Sequence, residues 1–180
     1  MKYVALLRAI NVGGHMVKMD HLRSLFETMG FSNVETFIAS GNVIFDSKIK
    51  STASLEKKIE KQLHATLGYE VKTFLRTIDE LSRVTSDRPF GSVELDKSGY
   101  ILYVGFMSAE PPAANQKKLM EFADKVNEFQ VKGREVYWLR NTGAGESEYS
   151  GGMIEKMLGV PTTFRNINTV NRLVKNYPTS

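Results

Sequence analysis

The sequence predicts an α+β fold: two tandem ferredoxin-like (βαββαβ-type) subdomains, the second degenerate, followed by a C-terminal helix. Three observations lead there. Over roughly the first 77 residues the apolar spacing switches between strand and helix periods in the order β-α-β-β-α-β. From Ser86 to Gly99 the pattern lapses into a stretch holding Pro89 and Gly91. After it the order β-α-β-β-α returns. The expected organisation is therefore a subdomain over 1–85, a linker loop over 86–99, and a second subdomain with its C-terminal helix over 100–180.

Taken in order, Tyr3 to Leu7 is a short apolar strand running into Arg8-Ala9-Ile10-Asn11-Val12-Gly13-Gly14. Met19, Leu22, Phe26 and Met29 recur at helical spacing, with Leu25 on the same face and Gly30 placed to end the helix in a left-handed conformation. Val34, Thr36 and Ile38 alternate with Glu35, Phe37 and Ala39 before Ser40-Gly41-Asn42 turns the chain into Val43-Ile44-Phe45, which is a hairpin signal. A second helix carries Leu55, Ile59, Leu63 and Leu67 on one face, with Gly68 behind it, and Val71 to Arg76 is strand-like. Thr77-Ile78-Asp79-Glu80 has the form of a capping box opening a short helix.

In the second half, Tyr100 to Met107 is a strand, and Pro111-Pro112 precedes a helix burying Leu119, Phe122, Ala123 and Val126. Phe129 to Val131 and Val136 to Leu139 flank a turn at Lys132-Gly133-Arg134. A glycine-rich loop, Asn141 to Gly152, leads to a short helix around Ile154 to Leu158. No final strand is evident, so the copy reads as incomplete, and duplication is inferred from element order alone. The last helix turns Ile167, Val170, Leu173, Val174 and Tyr177 inward, with Asn166 as its N-cap and Arg165 just outside.

Composition bounds the function classes. The chain has 180 residues, a net charge of +4 and no cysteine, and its pI is about 9.2. The basic lean admits anionic partners, a small molecule or nucleic acid, without requiring them. Lack of cysteine removes disulfides, thiolate metal sites and thiol nucleophiles, and fits a reducing setting. No apolar run is long enough for a bilayer or a signal peptide, so the expected localisation is cytoplasmic and no membrane partner is expected. His15, His21 and His64 have no metal-ligand spacing, no cofactor motif occurs, and neither a phosphate-loop pattern nor a Gly-x-Ser-x-Gly elbow is present.

Two constellations carry chemistry. In a ferredoxin-like sheet the first and third strands are neighbours, which brings Asn11 to Gly14 beside Ser40-Gly41-Asn42 on one rim. Gly13 and Gly14 let backbone N–H groups approach a ligand, and Arg8 and Lys18 add positive charge. The competing reading is that these are simply the residues tight turns use. At the other end, Arg165 and Asn166 with Thr162, Thr163 and Thr169 gather donors suited to phosphate or carboxylate at a helix start, or else form a plain cap. The candidate ligand-binding set is thus Arg8, Asn11, Gly13, Gly14, Lys18, Ser40, Asn42, Arg165, Asn166 and Thr169. The same rim could serve an enzyme as an oxyanion or phosphate hole, or Arg8 and Arg165 could bond backbone carbonyls in a structural role; no catalytic residue is assigned. Strand aromatics such as Phe37, Phe45, Tyr103, Phe106, Tyr137 and Trp138 read as base-stacking or, more commonly, as core.

Arg8 to Gly14, Val17-Lys18-Met19 with Leu22, Gly30-Phe31, Val34-Glu35-Thr36 through Ser40 to Phe45, and Thr163 to Val170 together resemble the bacterial family of unknown function numbered 1697 (domain of unknown function 1697). Ala9 departs from the glycine usual there. The resemblance implies an α+β protein of ferredoxin-like subdomains and no assigned activity. It also links the Asn11 to Gly14 loop, the Ser40 to Asn42 tip and Arg165-Asn166, as one site or as a lock between the halves.

Overall fold

The computed structural model describes residues 1–11, 13–38, 41–91, 95 and 99–178. These form two compact units, one of Met1–Arg83 with Leu173–Ser180, the other of Val84–Arg172.

In the first unit the order is β1 (Lys2–Leu7), α1 (Met19–Thr28), β2 (Ser32–Phe37), β3 (Asn42–Asp46), α2 (Thr52–Leu67) and β4 (Thr73–Thr77). The strands make an antiparallel sheet ordered β2-β3-β1-β4. β1 is interior to the sheet and apolar from Tyr3 onward: Tyr3, Val4, Ala5, Leu6 and Leu7 are all fully buried. Alternate residues of β1 and β3, with Leu22, Leu25 and Phe26 of α1 and Leu55, Ile59 and Leu63 of α2, form one apolar core. Phe31 and Phe45 pack with ring centroids 4.4 Å apart at its centre. Gly30 has φ +85°, so the left-handed stop after α1 is as expected. The hairpin loop is longer than a Gly-Asn pair requires: Phe37 pairs with Asn42, and Ile38 is already in the left-handed region at φ +49°.

The capping box is present. The Thr77 N–H donates to Glu80 Oε2 at 2.7 Å and Glu80 N–H returns to Thr77 Oγ1 at 3.2 Å, opening α3 (Ile78–Ser86).

The second unit runs β5 (Tyr100–Met107), α4 (Ala113–Glu121), β6 (Asn127–Lys132), β7 (Glu135–Asn141), a 3-10 turn at Thr142–Ala144, α5 (Gly151–Leu158) and β8 (Thr162–Asn166), followed by α6 (Ile167–Asn176). Its antiparallel sheet is ordered β6-β7-β5-β8. β8 corrects the expectation of a copy without its last strand: Met107 to Tyr103 pair with Thr162 to Asn166. The strand is short and ends in Arg165-Asn166, polar residues that read as a helix entry. It is defined by its ladder with β5 rather than by its own apolar pattern. α4 also ends sooner than expected. Phe122 caps it, and Asp124 then turns the chain by accepting from the N–H groups of Val126 and Asn127, each at 2.7 Å. Asp87, at the start of the expected linker, is tied to Lys132 at 2.5 Å and to the Tyr137 hydroxyl at 3.3 Å.

The two units share more than strand order. Val4 pairs with Arg76 and Tyr3 with Thr77; Val104 pairs with Arg165 and Tyr103 with Asn166. Both arginines are buried, and each donates through Nη1 at 2.9 Å to the carbonyl of the preceding residue, Leu75 or Phe164. α2 and α5 carry matching segments, Ile59-Glu60-Lys61-Gln62-Leu63 and Ile154-Glu155-Lys156-Met157-Leu158.

Candidate functional site

In the first unit the rim is built by the segment joining β1 to α1. Its ends are stapled down. The Arg8 N–H donates to the Lys72 carbonyl at 2.9 Å, the Tyr69 hydroxyl donates to the Ile10 carbonyl at 3.1 Å, and Asn11 Oδ1 accepts from the Val17 N–H at 2.7 Å. Ile10 and Val17 are buried apolar anchors. Gly13 to Met16, between the staples, are exposed. Gly13 and Gly14 have φ of +69° and +85°, with open space where a Cβ would stand, so the backbone angle rather than crowding requires glycine. Their N–H groups take no partner among the described residues. Lys18 is exposed at the N-cap of α1 and its side chain makes no capping bond; Arg8 is half-buried.

The hairpin tip meets this segment as expected from strand order. The Leu7 N–H donates to the Gly41 carbonyl at 2.8 Å, and a Cβ on Gly41 would stand 2.7 Å from Ile10 Cγ2. Ser40 lies outside the described residues. Asn42 is fully buried, and its Nδ2 donates to the Phe37 carbonyl at 3.1 Å. It closes the hairpin from inside, so its amide is not presented on the rim. Asn11 likewise spends its side-chain oxygen on the loop. Neither role is visible in a sequence, because both residue types serve ligands and turns alike.

Arg165, Asn166 and Thr169 belong to the second unit. Arg165 is only 8% exposed; its Nη1 donates to Thr163 Oγ1 at 3.0 Å and to the Phe164 carbonyl at 2.9 Å, and burial pushes its pKa down to about 10. The arginine expected outside the helix thus lies within a strand and bonds its own backbone. Asn166 Oδ1 accepts from the Asn168 N–H at 2.9 Å, which is the capping role. Thr169 is half-buried on α6.

The glycine-rich loop is pinned to its unit. Ser147 Oγ donates to Asn127 Oδ1 at 2.6 Å, which also accepts from Trp138 Nε1 at 2.9 Å, and Tyr149 packs edge-on to Phe129 and Phe122. The strand aromatics Phe37, Phe45, Phe106, Tyr137 and Trp138 are buried. Ser150 caps α5 by accepting from the Met153 N–H, and among the described residues no histidine bonds a hydroxyl. Nor do the described residues include a cluster able to hold a metal ion.

A second feature of the first unit lies along α2 and the chain entering β4: a groove of about 450 Å³ lined by Lys57, Glu60, Lys61, His64, Glu70 and Lys72. Lys72 pairs with Glu60 at 3.0 Å, whereas Lys57 and Lys61 have no carboxylate partner among the described residues. Just before it, the Tyr69 ring stacks on His15 with centroids 3.8 Å apart at 20°.

The family description "Protein of unknown function (DUF1697)" matches residues 1–137, which holds the whole rim segment and the hairpin tip. The chain belongs to the DUF1697 family. Among solved structures it is similar to "The structure of conserved bacterial protein SP0830 from Streptococcus pneumoniae", at 23% identity and a TM-score of 0.69, with 97% of each chain covered. That likeness concerns the fold. Among curated proteins nothing matches. Among the described residues of this DUF1697 protein no helix is long and apolar enough to cross a membrane.

Reading the DUF1697 sequence residue by residue misses the groove and the stacked pair. Lys57, Lys61 and His64 at helical spacing were a usable signal, since they fall on one face of α2. The approach of Lys72, Tyr69 and His15 was not, because it depends on how β4 pairs with β1.

Proposed function

We propose that this protein binds an anionic ligand, a nucleotide, nucleic acid or phosphorylated metabolite, at the rim of its first unit, in a cytoplasmic setting. The observation that carries the reading is the stapled 8–18 segment. It holds the N–H groups of Gly13 and Gly14, without partners among the described residues, in a stretch whose sequence begins at Arg8 and ends at Lys18. Donors fixed in advance bind charge without reorganising. Ser40 completes the proposed set; Asn11 and Asn42 support it from within. Each unit is further read as a ferredoxin-like fold and the pair as a duplication, supported by the common strand order and by the matched arginines and Ile-Glu-Lys-x-Leu segments. On that reading the repeats correspond to 1–85 and 100–180.

The test is isothermal titration with pyrophosphate and with a nucleoside triphosphate at low ionic strength. Saturable heat that weakens about tenfold in Lys18→Glu and fades with added salt supports the proposal. Absence of heat with every anion overturns it.

For Arg165 a structural role is favoured by its burial and its bonds to Thr163 and Phe164. A buried guanidinium already engaged by its own strand is poorly placed to capture a ligand.

A further inference from the structure

We propose that the ligand of the first unit is single-stranded nucleic acid, held along the α2 groove and across the His15–Tyr69 pair to the 13–18 loop. The inference rests on the anion-binding reading and names its ligand class.

Continuity is the first argument. Residues 69–72 touch both features: Lys72 lines the groove and its carbonyl holds Arg8, while Tyr69 holds the Ile10 carbonyl and carries His15 on its ring. Groove, stacked rings and glycine loop are therefore joined through residues 69–72 of one unit.

Chemistry is the second. Lys57 and Lys61 stand one helical turn apart, exposed and without carboxylate partners among the described residues. Lys72 is already neutralised by Glu60, and Lys58 is turned away to the Met29 carbonyl. Two adjacent cations suit consecutive phosphates of a chain better than one compact anion. The imidazole of His15 lies flat on Tyr69 and is itself exposed, a ledge on which an unpaired base can stack. Cations tracking a backbone beside an aromatic ledge are the means by which proteins hold single strands without reading sequence. Stacking needs an unpaired base, so a duplex should compete less well than a single strand of the same length.

The experiment is fluorescence anisotropy of a short labelled oligouridylate over a range of salt, run beside the pyrophosphate titration. The expected result is binding whose log–log salt slope shrinks by about 1.4 in the Lys57→Gln, Lys61→Gln double variant, two phosphates' worth. His15→Ala should weaken binding about tenfold at fixed salt with the slope unchanged. All three residues are exposed, and circular dichroism verifies that the variants fold. Oligouridylate affinity no greater than that for pyrophosphate, or indifferent to these changes, overturns this inference while the anion site stands. Silence of both ligands overturns both.

Discussion

Glu155 Oε2 accepts the backbone N–H of Thr162 at 2.7 Å. Thr162 opens β8, which lies at the edge of its sheet, and an edge strand offers unpaired N–H groups to any passing chain. The first unit guards its own edge the same way: Glu60 accepts from Thr73 N–H at 3.0 Å and Glu56 from Leu75 N–H at 2.9 Å. In each unit the helix preceding the edge strand supplies the carboxylate.

Glu155→Ala should therefore lower stability by about 1–2 kcal/mol, the cost of stranding a half-buried donor. Glu155→Gln retains an accepting oxygen and should recover most of it. Urea denaturation of the three proteins checks the order.

Arg165→Ala should cost about 1–3 kcal/mol, because Thr163 Oγ1 and the Phe164 carbonyl lose a charged donor. Arg165→Lys should not restore it, since one ammonium lacks the planar fork of a guanidinium. Thermal melts of both variants test this; a melting temperature unchanged in Arg165→Ala would argue against the structural role.

Ala9 sits at φ +54°, where a Cβ is strained and glycine is not. Ala9→Gly should stabilise the protein by about 1 kcal/mol. Gly41→Ala should do the opposite, because its φ is +81° and the new methyl would meet Ile10 Cγ2. Calorimetry should show melting temperatures moving in opposite directions.

Asp124 is held below the ordinary carboxylate range, first by the Val126 N–H and then by hydrogen bonds from Asn127. Its depressed native pKa means that its stabilising contribution is complete above the unfolded value of 3.8 and is lost as pH falls through the native one. Trp138, the one tryptophan of the chain, is tied to Asn127 and so reports on this turn. Denaturation followed by its fluorescence should show the wild type converging on Asp124→Asn as the pH is lowered below that range.

The bend carrying Gly13 and Gly14 and the cap of α3 were legible because turns declare themselves chemically. Gly13 and Gly14 announce positive φ, and Thr77 and Glu80 announce a cap three residues apart. Element order declared a repeat, but the residue-by-residue correspondence of the halves was not legible from linear comparison, since loops of different length separate Ile59-Glu60-Lys61 from Thr73 and Ile154-Glu155-Lys156 from Thr162. It emerges only when Val4 is set against Arg76 and Val104 against Arg165 in their ladders.

From the chain alone came the α+β class, most helix faces and the order of elements up to α5, because side-chain periodicity is a local property. Tertiary structure decided which polar residues point outward. Asn42 and Arg165 carry the same groups as a ligand-binding amide and guanidinium, yet both are buried. Whether such a group meets a ligand or its own backbone depends on strand pairings between residues far apart in sequence. β8 exists for the same reason: five residues with little apolar pattern become a strand because β5 offers them a ladder.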